Sequence, residues 1–224
     1  MLSDLTTNPL GFLFWIIALV IAITIHEFSH ALAAERLCDP TPRLQGRLTL
    51  NPLAHLDPLG TLMLLLVRFG WGKPVVFDPF NLRNPRRDSA IISLAGPFAN
   101  LVLATAAAIL LRFLSLSHFS LLTSNFLSIV TTLVIALLQP VIVLNVILAI
   151  FNLVPIHPLD GFKIVEGILP QNMAREWAQL EPYGLIFLLF LVLPVFGGTA
   201  PIVNLISPVI NFILGILLPG PPVI

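Results

Sequence analysis

The sequence predicts an all-α, polytopic membrane protein of about five transmembrane helices, with a short re-entrant helix and a small β element at the membrane face. Two compositional facts and one pattern carry that expectation. Of 224 residues, 57% are hydrophobic and 10% charged, where a soluble domain carries about 25% charged residues. Mean hydropathy is +1.00. Four stretches, 10–34, 89–114, 126–154 and 183–218, are apolar over lengths that reach across a bilayer.

Taken in order, 10–34 is a single pass that runs straight into polar chemistry at its end. No cleavable signal peptide is expected, because residues 1–10 contain Asp4 and no Lys or Arg. Residues 43–50 (RLQGRLTL) alternate polar with apolar, and 73–77 (KPVVF) is β-prone, so the two are expected to form the small sheet. Between them, 59–69 (LGTLMLLLVRF) is apolar but too short to span, which reads as a re-entrant or interfacial helix. The 89–114 and 126–154 stretches are further passes. The 183–218 stretch, broken at Gly197–Gly198 and Pro201, reads as a helical hairpin. With no repeat or appended soluble module, 1–224 is expected to be one membrane-embedded domain with its core at 10–165.

Charge sets the orientation. Eight of the eleven Lys and Arg residues lie between the first two long apolar stretches, and Lys163 and Arg175 follow the third. By the positive-inside rule the N-terminus lies outside a cell membrane, and 36–87 and 156–181 lie on the cytoplasmic side. A formal net charge of zero gives no reason to expect nucleic acid as a partner. One cysteine, Cys38, excludes an intrachain disulfide and a thiolate zinc cluster.

His26, Glu27, Phe28, Ser29 and His30 form an HExxH motif near the end of the first pass. Residues four apart on a helix differ by about 40° in azimuth, so both imidazoles can grip one Zn²⁺. Glu27 lies about 100° from His26, placed to take a proton from a water held by the metal. In a chain with five His and five Glu the motif arises by chance at about two or three in a thousand. Ionisable groups within a membrane helix are costly unless paired or metal-bound, which argues for a functional reading. The third ligand is expected from Asp160, in Asn152-Leu153-Val154-Pro155-Ile156-His157-Pro158-Leu159-Asp160-Gly161, since both segments run outside to inside and end at similar depth. Glu35, about 140° round from His30, cannot easily join. Gly161 is expected to permit an unusual backbone at the turn.

HEFSH on an early membrane helix, Asn51-Pro52 with His55 and Asp57-Pro58, Ala95-Gly96-Pro97 with Asn100, and the distal NLVPIHPLDG together resemble the site-2 protease family of intramembrane metalloproteases. The resemblance covers about residues 20–165. It implies one Zn²⁺ per chain held by His26, His30 and Asp160, with Glu27 as catalytic acid/base. It further implies that Asn152 steadies the tetrahedral intermediate and that substrates are membrane-spanning proteins cleaved in or near their spans. The PDZ or CBS modules of many members have no counterpart here.

The remaining residues read more plainly. His55 is taken as a loop histidine bonded to backbone, His157 as facing solvent outside the ligand shell, His118 as an outer loop residue and Asp57 as a turn former. Gly96, with Ala95 and Ala99, is taken as a packing position that lets another helix approach, Pro97 as a kink, and Asn100 as making an interhelical hydrogen bond. The competing functional class is a membrane metal-binding or transport protein that uses the same ligands without hydrolysis. Glu27 separates the two, because a non-ligating carboxylate serves only hydrolysis.

Overall fold

Asn8 starts the first long helix: its side chain accepts the Gly11 N–H at 2.9 Å, and Pro9 occupies the first turn. The structure is a computed structural model that describes residues 7–60, 72–118, 125–194 and 198–218. Helix α1 (Pro9–Arg36) closes with the Leu37 N–H on the Ala33 carbonyl and the Asp39 N–H on the Ala34 carbonyl. Cys38 supplies the left-handed residue there, at φ 76°.

A four-residue turn, α2 (Thr41–Leu44), follows. It is fixed by Asp39, which accepts from the Thr41 N–H and hydroxyl, the Asp78 N–H and the Asn81 amide. Burial pushes the Asp39 carboxyl upward, but these donors outweigh it and hold it below its ordinary value.

Two further long helices, α3 (Pro85–His118) and α4 (Asn125–Asn152), complete the membrane core. In α3 the Asp88 carboxylate reaches back to the Asn84 N–H at 2.9 Å, closing its first turn. Among the described residues three helices are long and apolar enough to cross a membrane: Pro9–Arg36, Pro85–Leu116 and Phe126–Asn152, with mean hydropathies of 2.2, 2.0 and 2.7. They coincide with the first three passes expected from sequence. Small residues (Ala18, Ala104, Ala107, Ala108) meet Val141, Ile142 and Val146 of α4 in the common core. In lipid such residues allow the close backbone approach that dispersion forces need. Large apolar side chains such as Phe98, Phe113 and Phe126 point outward, as a lipid-facing wall requires.

After α4 the chain turns into α5 (Asp160–Ile168) and α6 (Gln171–Ala178). Trp177 stacks on Phe162 with centroids 5.3 Å apart and donates its indole N–H to the Phe162 carbonyl at 3.1 Å, tying α6 to α5. The C-terminal 183–218 stretch holds α7 (Gly184–Val192) and α8 (Pro201–Leu217). Helix α7 is only nine residues long, because Leu193 precedes Pro194 and is extended, at ψ 139°. Its rise of about 13 Å falls well short of a hydrocarbon core about 30 Å thick.

The expected membrane-face sheet is not found among the described residues. Residues 43–44 belong to α2, and 45–50 and 73–77 form no regular element; one isolated bridge joins Leu56 to Gly72. The alternation in 43–50 has a different origin. Arg47 is buried and donates through Nη2 to the Lys73 carbonyl, while Leu44 and Leu50 are 81% and 58% exposed. Of the re-entrant helix expected at 59–69, residues 58–60 are helical and begin at Asp57, whose carboxylate accepts the Gly60 N–H at 2.7 Å. The remainder lies outside the described residues.

Candidate metal centre and active site

Helix α1 brings His26 and His30 to one face, and the α4–α5 turn delivers Asp160 opposite them. The Nε2 atoms of His26 and His30 lie 3.0 Å apart, and Asp160 Oδ2 lies 3.2 Å from the first and 3.4 Å from the second. Both histidines are buried. The three sequence-predicted ligands therefore meet, with all donor atoms within 4.8 Å of one another.

The surrounding hydrogen bonds fix which ring nitrogens face inward. His30 Nδ1 donates to the Ile92 carbonyl at 2.7 Å. His26 Nδ1 lies 2.7 Å from Asn100 Oδ1, and the Asn100 amide nitrogen is already committed as donor to the Ala22 carbonyl and to Asn145 Oδ1. Asn100 Oδ1 is thus an acceptor, and His26 Nδ1 carries the proton. In their neutral forms both imidazoles then present Nε2 lone pairs to each other and to Asp160 Oδ2, a buried oxygen with no hydrogen-bond donor. Three lone pairs at such separations repel unless a shared cation stands among them. The donor set, two imidazoles and a carboxylate, is one that divalent zinc accepts in catalytic sites.

Two glycines make this convergence possible. A Cβ at Gly96 of α3 would lie 2.4 Å from His30 Nε2 and 2.7 Å from His26 Cε1. The position read from sequence as helix packing is therefore the floor of the metal centre. A Cβ at Gly161 would lie 2.3 Å from the Leu153 carbonyl oxygen and 2.5 Å from that of Val154. Close approach of the turn to the end of α4, rather than an unusual backbone angle, explains Gly161.

Glu27 projects beside the pair and accepts the Val75 N–H through Oε2 at 2.9 Å. The 73–77 segment thus serves as the mount for this carboxylate. The Arg47 bond to the Lys73 carbonyl and the His55 carbonyl, which accepts the Lys73 N–H at 2.8 Å, hold the segment in place. Asn152, at the end of α4, donates its amide to the Leu148 carbonyl one turn back at 2.9 Å and is not directed at the cluster. His157 stays out of the ligand shell, 3.6 Å from Glu181 Oε1. His55 is fully buried and makes the expected backbone bond, 2.7 Å to the Thr49 carbonyl. Sequence reasoning passed over Asn145, yet it is fully buried and orients Asn100. A polar residue inside a membrane helix was the available signal.

Because Asn100 sets the His26 tautomer, Asn100→Ala is expected to weaken zinc binding about 10- to 100-fold. Competition with a chelator of known affinity measures it, and unchanged affinity would detach Asn100 from the metal.

The sequence profile of peptidase family M50 matches residues 76–193, a span that contains Asn152 and Asp160 and begins after HEFSH. YwhC of Bacillus subtilis is 39% identical over 184 residues, covering 80% of this chain and 78% of that protein. Rip2 of Mycolicibacterium smegmatis is 32% identical over 197 residues, covering 84% and 71%, and Rip2 of Mycobacterium tuberculosis H37Rv is 31% identical over 208 residues, covering 88% and 75%. The names of these relatives propose zinc metalloproteases. No solved structure matches the chain. With a membrane-spanning helix core and more than half its length matched, the chain belongs to peptidase family M50.

Proposed function

We propose that the chain is an intramembrane zinc metalloprotease that hydrolyses peptide bonds in or near the spans of membrane proteins. The observation that carries this reading is the meeting of His26, His30 and Asp160 with every inward donor a lone pair, beside a carboxylate that is not one of the three. His26 lies ten residues before Arg36, about 15 Å along α1 from its end, which supports a site below the membrane surface. We place the N-terminus outside and the site toward the cytoplasmic side of a cell membrane, following the Lys and Arg distribution. In the C-terminal stretch α8, with 17 residues, would supply a further crossing, and the whole chain would act as one domain.

When bound, zinc supplies Lewis acidity for the scissile carbonyl and lowers the pKa of its water toward about 7. The chain's own groups do the rest. The Val75 N–H holds Glu27 Oε2, which leaves Oε1 to take a proton from the attacking water and return it to the leaving amine. The Asn100 and Ile92 bonds keep both imidazoles in the metal-facing tautomer. Asn152 is the proposed donor to the developing oxyanion; to act, its amide must turn from the Leu148 carbonyl as substrate binds. A helical substrate must unwind before its carbonyls are available, since they are bonded internally.

The test is Glu27→Gln in detergent with a panel of single-span substrates. Zinc is expected to remain at one per chain while cleavage falls about 10²- to 10⁴-fold. Full cleavage by the variant would refute Glu27 as base. Zinc binding with no cleavage by the wild type on any substrate would favour the non-hydrolytic metal-binding reading.

A further inference from the structure

We infer that a second site on the molecule, separate from the metal centre, binds the phosphate of an anionic phospholipid headgroup. A cavity of about 500 Å³ lies between the start of α3, the α5 helix and α6, with Phe77 and Pro79 closing one side. That volume is ordinary for a small-molecule site. Its charged lining is Arg86 from α3, Lys163 and Glu166 from α5, and Arg175 from α6. Three cations against one carboxylate leave an excess of two positive charges.

The cations are not equivalent. Lys163 is neutralised within the fold, 3.2 Å from Glu166 and 3.4 Å from Glu181. Arg86 and Arg175 make no hydrogen bond or ion pair among the described residues. Two planar forks from different helices lining one cavity, each with a full set of donors, suit the oxygens of a phosphate.

The rim indicates where that phosphate comes from. The cavity opens at the N-terminal end of a membrane-spanning helix. Residues one or two positions along the chain from its lining expose large apolar side chains: Phe80 at 97%, Ile168 at 77% and Met173 at 54%. A phosphate pocket bordered by uncovered apolar groups suits a ligand with a charged head and hydrocarbon attached, and basic pockets at helix ends are a recurrent lipid-headgroup site. A soluble phosphate compound would leave this rim bare. Binding also has a mechanical consequence, because Asp160 opens α5. A Cβ at Gly167 would lie 2.3 Å from Ala90 Cβ, so α5 already rests on α3. A phosphate bridging Arg86 and Arg175 braces α5 from its other flank.

The experiment titrates the full chain in neutral detergent with dioleoyl phosphatidylglycerol, with dioleoyl phosphatidylcholine and, in a third arm, with inorganic phosphate. Bound lipid is read by native mass spectrometry and stability by thermal unfolding. Phosphatidylcholine has the same phosphate but beside a choline cation that offsets its charge, so at about fivefold per guanidinium for net anionic lipid wild type should prefer phosphatidylglycerol about 25-fold. Arg86→Gln and Arg175→Gln should each lose about fivefold of that preference, and the double variant nearly all of it, with lipid-free unfolding temperatures unchanged. Arg87→Gln, outside the lining, should retain it. Equal binding of both lipids by wild type, an unaltered preference in the double variant, or an equal loss in Arg87→Gln would each overturn the site. Inorganic phosphate reproducing the whole stabilisation would overturn the lipid assignment.

Discussion

Replacing Gly96 by alanine is expected to strip the metal centre, although helix propensity alone forecasts a gain. In a helix interior alanine is better than glycine by about 1 kcal/mol. Here the added methyl would lie 2.4 Å from His30 Nε2 and 2.6 Å from His30 Cε1, distances at which something must move. The imidazoles are held from behind by Ile92 and Asn100, so they can yield only by breaking those bonds. A displacement of about 1 Å at a reacting centre costs on the order of 10²-fold in rate, and ligand misplacement costs zinc as well. We expect Gly96→Ala to lose at least about 100-fold in both zinc affinity and cleavage. Gly215→Ala on α8 should leave both unchanged, since a methyl there meets nothing within 4 Å. Metal content by mass spectrometry and cleavage of a single-span substrate decide the matter. A fully loaded, fully active Gly96→Ala protein would mean that α3 can retreat from α1.

Asp160→Ala is expected to abolish cleavage by removing one of the three proposed ligands, and to remove the stabilisation that zinc confers. Asp160 Oδ2 has no hydrogen-bond donor, and its contacts to His26 and His30, at 3.2 and 3.4 Å, hold the apo fold only so far as an imidazole is protonated. The apo effect of deleting it therefore mixes in a lost ion contact, and the zinc-dependent increment is the quantity to compare. The contrast appears on adding zinc. At a thousandfold over its dissociation constant a ligand stabilises the folded state by about 4 kcal/mol. Wild type should show a stabilisation of that order, and Asp160→Ala less than about 1 kcal/mol at the same zinc concentration. Thermal unfolding with and without zinc measures both. Equal stabilisation of wild type and variant by zinc would show instead that Asp160 does not hold the metal.

Much of this architecture could be read from sequence, and the reasons are physical. A bilayer imposes length and apolarity on each pass, so 10–34, 89–114 and 126–154 announce themselves. The four-residue spacing of His26 and His30 carries its own geometry. Asp160 could be found because a proline-broken, charged turn at membrane depth has few other uses. The β element was misread because alternation assumes that apolar side chains point inward. At the membrane face the polarity is reversed: Leu44 and Leu50 are exposed and Arg47 is buried on a backbone carbonyl. Gly96 was taken as packing because a missing side chain signals closeness without naming the neighbour. Asn145 is a single amide in an apolar run, and only its partner on another helix gives it meaning.

The Asn100 side chain touches three transmembrane segments at once: an imidazole and a carbonyl of α1 from its own place on α3, and the Asn145 amide on α4. Sliding any one helix by a turn, about 5.4 Å, breaks this junction. Loading with metal is therefore a gauge of tertiary assembly. A nascent chain that has inserted only its first two spans lacks the Asn145 strut and the Asp160 donor, so hydrolytic competence arrives only after the third span has docked.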